Sequence, residues 1–212
     1  MATVNSSRVS SSVAIAACAA SLVMALAACG SDTDTSSASS SPVSDVFTPP
    51  SITETATEAS TCPTAAPADG AAPEWTLPGA TGSVAVSGST DTAAPNVKVT
   101  APFSVTETQV HTLQAGDGPV VADNATVSVC YMGVNGRDGS VFDSSYQRGE
   151  PVEFPLNGVV PGFQKAIAGQ TVGSTVGVAV VSADGYPSGQ PAAGIQPGDT
   201  LIFAIKILDA TS

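Results

Sequence analysis

The chain has 212 residues, 42% of them hydrophobic and 11% charged, and its 18 acidic against six basic side chains leave a net charge of −12. Such a balance argues against nucleic acid, which selects basic patches, and against an electrostatic hold on anionic lipid, where Lys and Arg clusters do the work. One histidine, His111, and four cysteines with no Cys-x-x-Cys pair offer no zinc or redox motif, so no metal and no cofactor is expected.

The front of the chain addresses it. Residues 1–8 carry one positive charge, Arg8, and residues 13–28 carry none. That apolar run is shorter than the roughly 20 residues a spanning helix needs. It reads as a secretory signal with a charged start, an apolar middle and a small-residue end. The end, Leu26-Ala27-Ala28-Cys29-Gly30, resembles the bacterial lipobox, whose cysteine is lipidated and becomes the new N-terminus. The resemblance implies a signal peptide over 1–28 and a diacylglyceryl anchor on the Cys29 sulfur. The chain would then be held at the extracytoplasmic face of the cell membrane. Cleavage would leave 212 − 28 = 184 residues and a net charge of 5 − 18 = −13. Attachment would therefore rest on the lipid, at about 0.8 kcal/mol per buried CH₂.

Residues 29–72 are rich in Ser, Thr, Ala, Pro and Asp. They hold few large apolar groups to offset their ordering entropy, and they read as a disordered spacer. From residue 73 the texture changes, with Trp75, Leu77, Val84, Val86, Val97 and Val99 set among Gly, Ser, Pro and Thr. Residues 73–100 read as an N-terminal β-extension, too short for a core of its own. Cys62 in the spacer and Cys130 further on are compatible with a disulfide or with a buried free thiol at Cys130, because pairing depends on a Cα separation that sequence does not supply.

A folded domain is expected over 101–212. Residues 125–131 alternate, with Val127, Val129 and Tyr131 on one face and Thr126, Ser128 and Cys130 on the other. Asn135-Gly136-Arg137-Asp138-Gly139 is a turn signature. Short strands are predicted at 152–156 and 175–181. The strongest strand is at 201–208, where Leu201, Phe203, Ile205 and Ile207 face the core and Lys206 points outward. One helix is predicted over 162–168. Pro161 suits its start, Phe163, Ala166 and Ile167 form its apolar stripe, and Gly169 suits its stop. One short helix with five or six antiparallel strands makes an α+β domain, a sheet wrapped around the helix.

The functional signal is a spaced set of apolar groups. It begins at Val141-Phe142-Asp143-Ser144-Ser145 and continues through Phe154, Val159-Val160-Pro161-Gly162-Phe163, Asp184-Gly185-Tyr186, Ile195 and Leu201-Ile202-Phe203. Nothing among them is a nucleophile with a base beside it. If they converge, they form an apolar pocket with a few polar contacts, acting by binding and desolvation. By residue type alone, Asp143-Ser144-Ser145 reads as only a turn or a helix cap, since Asp and Ser favour both.

In order and spacing these pieces resemble the FKBP-type peptidyl-prolyl cis–trans isomerases. The resemblance runs over about a hundred residues, from Val129-Cys130-Tyr131-Met132-Gly133 to Thr200-Leu201-Ile202-Phe203, and includes Arg148, Phe154-Pro155-Leu156 and Gly194-Ile195-Gln196-Pro197. It implies that Tyr131, Phe142, Asp143, Phe163, Tyr186 and Phe203 carry the reaction. It implies that Arg148, Val152, Phe154, Val159, Val160 and Ile195 hold the substrate. Phe163 stands where the family usually has a tryptophan floor, Val152 replaces an aromatic wall, and Pro191 stands where many members have a histidine, so a wider and shallower site is implied. The expected partners are proline-containing polypeptides, met by a monomer at the membrane surface. The alternative is a non-catalytic module or chaperone holding a proline segment in the same pocket.

Overall fold

The computed structural model describes residues 61–68, 70 and 72–211; the leader, Cys29 and the spacer up to residue 60 lie outside the described residues. A six-stranded antiparallel sheet forms the body. It comprises β4 (Gln109–Gln114), β5 (Thr126–Asn135), β6 (Val141–Ser144), β7 (Val152–Pro155), β8 (Thr175–Val180) and β9 (Leu201–Thr211). The order is β4-β8-β9-β5, after which β6 and β7 both pair with the far edge of β5. Helix α2 (Pro161–Ile167) lies across one face. Phe163, Ala166 and Ile167 from α2 close the main core against Val127, Val129, Val178, Phe203, Ile205 and Ile207. Gly162 lets the helix approach, since a Cβ there would run into the Val180 methyls.

The other face of the sheet is covered too. Strands β1 (Trp75–Pro78), β2 (Thr81–Ser87) and β3 (Asn96–Ser104) make a second antiparallel sheet, in the order β1-β2-β3. Val84, Val86 and Phe103 from this sheet pack on Val134, Ala179, Ile202 and Ala204. This changes the reading of β9. Its alternation suggested one buried face, yet Leu201 to Ile205 are all buried, the pattern of a strand sandwiched between two layers. Lys206 does not point freely outward, because its ammonium donates to the Gly173 carbonyl at 2.6 Å and its stem is half-buried. Trp75 lies flat over Gly177, where a Cβ would meet its ring at 2.8 Å, and it stacks on the exposed His111 at 5.5 Å.

Two boundaries move. The break between extension and domain at 100/101 falls inside β3, which continues to Ser104 and donates from Phe103 N–H to the Gly136 carbonyl. The spacer assigned to 29–72 ends earlier. Cys62 is buried and disulfide-bonded to Cys130 across a Cα separation of 5.6 Å, so residues 61–68 belong with the folded part. Closing a loop between residues 68 apart is worth about 4 kcal/mol on the chain-entropy model.

A second helix, α1 (Ser145–Arg148), is a single turn that sequence periodicity did not reveal. Ser144 caps it by accepting from Gln147 N–H, and Gly149 ends it at φ 76°, a left-handed conformation suited to glycine. The cap reading of the Asp-Ser-Ser motif therefore holds at Ser144, with Asp143 just before it on β6.

Candidate active site

On the α2 side the sheet opens into a cavity of about 420 Å³. Each element supplies a few groups. Tyr131 comes from β5, Phe142 and Asp143 from β6, and Val152 and Phe154 from β7. Gly158, Val159 and Val160 line it from the link before α2, Phe163 from α2 itself, Tyr186 from the loop after β8, and Phe203 from β9. Phe163 is the floor and is 6% exposed. It makes edge-to-face contacts with Phe203 at 5.1 Å, Phe154 at 5.4 Å and Tyr131 at 5.8 Å. Phe142 stands edge-on to Phe203 at 5.6 Å. Such T-shaped pairs satisfy the ring quadrupoles.

One side of the cavity is polar. The Tyr131 hydroxyl donates to Asp143 Oδ2, and Arg148 Nη1 donates to Asp143 Oδ1 at 2.6 Å. Burial, and then the bond to the Asp143 carboxylate, push the Tyr131 phenol up to about 12. For Asp143, burial alone would raise the carboxyl, but the Tyr131 and Arg148 hydrogen bonds outweigh it and hold the group below its ordinary value. At neutral pH the pair is thus a protonated phenol on an ionised carboxylate. The bond ties the phenol ring to β6. Across the cavity the Tyr186 loop is anchored through Asp184, which accepts from Thr108 Oγ1 at 2.6 Å and from Lys165 Nζ at 2.7 Å. The Tyr186 hydroxyl forms no hydrogen bond among the described residues, and neither does the Val160 N–H. Both are available to a ligand.

Ten of the twelve pocket residues expected from sequence line this cavity. The other two do not. Arg148 remains outside the lining, with its side chain 48% exposed, and grips Asp143. Ile195 is buried in the main core with Phe163 and Phe203, and its backbone bridges to Gln190. Two glycines were missed. Gly158 lines the cavity with backbone alone and leaves no side-chain signal. Gly133 on β5 makes room for Phe142, because a Cβ there would meet that ring at 2.6 Å. Pro191 sits on an exposed 3₁₀ turn and does not line the cavity.

The family profile described as FKBP-type peptidyl-prolyl cis-trans isomerase matches residues 118–208. A probable FK506-binding protein of Corynebacterium glutamicum is 36% identical over 98 residues, 45% of this chain and 80% of that protein. An FK506-binding protein of Streptomyces anulatus is 36% identical over 96 residues, 44% of this chain and 77% of that one. The chain belongs to the FKBP-type peptidyl-prolyl cis–trans isomerase family. Among longer FKBP-type relatives, the 22 kDa isomerase of Escherichia coli is 39% identical over 101 residues, and the match spans about half of each chain, 48% in both. The matched FKBP-type segment contains every residue lining the cavity, whereas β1 to β4 and Cys62 precede it.

Proposed function

We propose that this chain is an exported peptidyl-prolyl cis–trans isomerase that assists folding at the outer face of the cell membrane, held there by a lipid on Cys29. The observation that carries the catalytic part is the cavity itself, in which six aromatic rings enclose a space open to an extended peptide.

An X–Pro bond turns over in tens to hundreds of seconds unaided, against a barrier of about 18–20 kcal/mol set by amide resonance. The planar amide is charge-separated and well hydrated, and the twisted amide has lost much of that charge. A water-poor aromatic cavity therefore disfavours the planar form relative to the twisted one, which is differential binding of the transition state. Each 1.36 kcal/mol of such preference is worth about tenfold in rate. Phe163 supports the pyrrolidine ring, with Phe142, Phe154 and Phe203 as walls. The Tyr186 hydroxyl and the Val160 N–H hold the flanking peptide carbonyls. The Tyr131–Asp143–Arg148 chain keeps one wall in place without itself exchanging protons.

The test is a protease-coupled proline-peptide assay on the purified full chain. Catalysed isomerisation is expected, and it should vanish when Tyr186→Ala and Phe142→Ala are combined. Peptide binding without any acceleration would replace the enzyme by a proline-binding module. The lipobox motif supports the anchoring part, and Cys29→Ala should release the protein from the membrane fraction or stall its maturation. Undiminished membrane retention would count against the lipid anchor.

A further inference from the structure

We propose that Ser145 is a positioning residue for this site, acting through the backbone of Tyr131 and braced from behind by the Cys62–Cys130 disulfide. For its kinetic arm the proposal rests on the isomerase reading above; its spectroscopic arm does not.

The starting point is a gap in the sheet. The outer edge of β5 pairs with β7 from Thr126 to Val129 and with β6 from Met132 to Val134. Between these partners Cys130 and Tyr131 face no strand on that side. Backbone groups left unpaired inside a protein cost free energy, so something must fill the gap. Ser145 fills it. The residue is fully buried. Its hydroxyl oxygen accepts from the Tyr131 N–H at 2.8 Å and lies 3.3 Å from the Tyr131 carbonyl, to which it donates. Both capacities of one hydroxyl are thus committed to the residue whose phenol enters the cavity.

Ser145 is itself held from behind. Cys62 Sγ lies 3.4 Å from its oxygen, and the Cys62 N–H donates to the Gly149 carbonyl at 3.2 Å. The strap around Cys62 therefore touches α1 at its first residue and just past its last. Asp143 precedes α1 and Arg148 ends it, so the carboxylate and the guanidinium that grips it are carried by the same short unit. Tyr131 is tied to that unit twice, by its backbone through Ser145 and by its phenol through Asp143. Removing the first tie lets the strand shift against the second, and the phenol moves relative to the carboxylate that holds it. A residue that only supported the fold would lower stability and leave that phenol alone.

The experiment uses the full chain with its disulfide intact and compares it with Ser145→Ala. Per folded molecule, kcat/KM for a proline peptide is expected to fall about tenfold, mostly in kcat. In the same protein the Tyr131 phenol, followed at 295 nm and assigned by Tyr131→Phe in both backgrounds, should titrate below its wild-type value, which burial and the Asp143 carboxylate raise. Combined Cys62→Ala and Cys130→Ala should shift the phenol in the same direction by less, and this variant decides the matter if Ser145→Ala does not fold. A Ser145→Ala protein whose phenol titrates as in the wild type and whose kcat/KM stays within twofold would overturn the proposal, whatever its thermal midpoint. A wild-type chain without isomerase activity would sink the isomerase reading alone, and the phenol titration would still decide the role of Ser145.

Discussion

Strand β9 presents two buried faces that do different jobs. Toward α2 it offers Phe203, whose ring forms part of the cavity wall, with Ile205 and Ile207 in the core beside it. Toward the N-terminal sheet it offers Ile202 and Ala204, which meet Val84, Val86 and Phe103 and touch nothing in the cavity. The first face is built from the segment that matches the family profile, and the second is covered by residues that precede it. The two faces thus serve separate layers that share one strand. Stability and turnover should separate along this line.

The sharpest way to break that separation is Phe103→Ala. Phe103 is 2% exposed at the centre of the outer layer, so its truncation should cost about 3–5 kcal/mol. Proline-peptide kcat/KM, normalised to the folded fraction, should remain within about twofold. Denaturant unfolding and turnover measured on the same samples check both halves. A tenfold loss of turnover in the fully folded variant would mean that the outer layer reaches the cavity after all.

Gly133→Ala tests the inner face with a smaller change. The added methyl would meet Phe142 at 2.6 Å and Phe203 at 3.0 Å, both rigid rings. The less buried Phe142 should yield and swing from its edge-to-face position. Overpacking of this kind costs about 1–3 kcal/mol, and turnover should fall about tenfold because a wall has moved. Unchanged kinetics with the same loss of stability would show that Phe142 is core and not wall.

Much of this was legible in the sequence because it depends on side-chain type and period. The alternation of Val127, Val129 and Tyr131, the stripe of α2 and the spaced aromatics all appear where the pattern placed them. What sequence did not show depends on three-dimensional neighbours. Nothing local says that Val84 and Val86 will lie on Ile202, or that Cys62 will reach Cys130 across 68 residues. A one-turn helix has no period to detect, so α1 was legible only as a possible cap and the inward hydroxyl of Ser145 not at all. Ile195 is ambiguous for the opposite reason: its apolar side chain fits a pocket wall and a buried core equally well, and residue type does not choose between them.

The smallest effect separates the two sides by their tyrosines. Tyr131 faces the cavity, and Tyr146 is buried on the far side with Cys62 and Cys130, donating to Ser89 Oγ at 2.8 Å. Both phenols are pushed up to about 12, but for different reasons. Burial acts first on each; at Tyr131 the Asp143 carboxylate adds to it, whereas at Tyr146 the Ser89 hydroxyl works against it. A phenol whose folded value is raised contributes stability that is fully present below its unfolded value, near 10, and is lost as pH rises through about 12. Stability should therefore be insensitive to these two groups at neutral pH and should fall only in that alkaline window. Asp143 has the opposite sign: its depressed carboxyl contributes stability above the ordinary carboxylate range, and this is lost as acid protonates it. In a 295 nm titration, Asp143→Asn should lower the Tyr131 phenol and leave Tyr146 where it is, while Ser89→Ala should raise Tyr146 alone. If Asp143→Asn moved both phenols together, the two sides of the sheet would be electrically coupled, and the division of labour along β9 would fail at its weakest point.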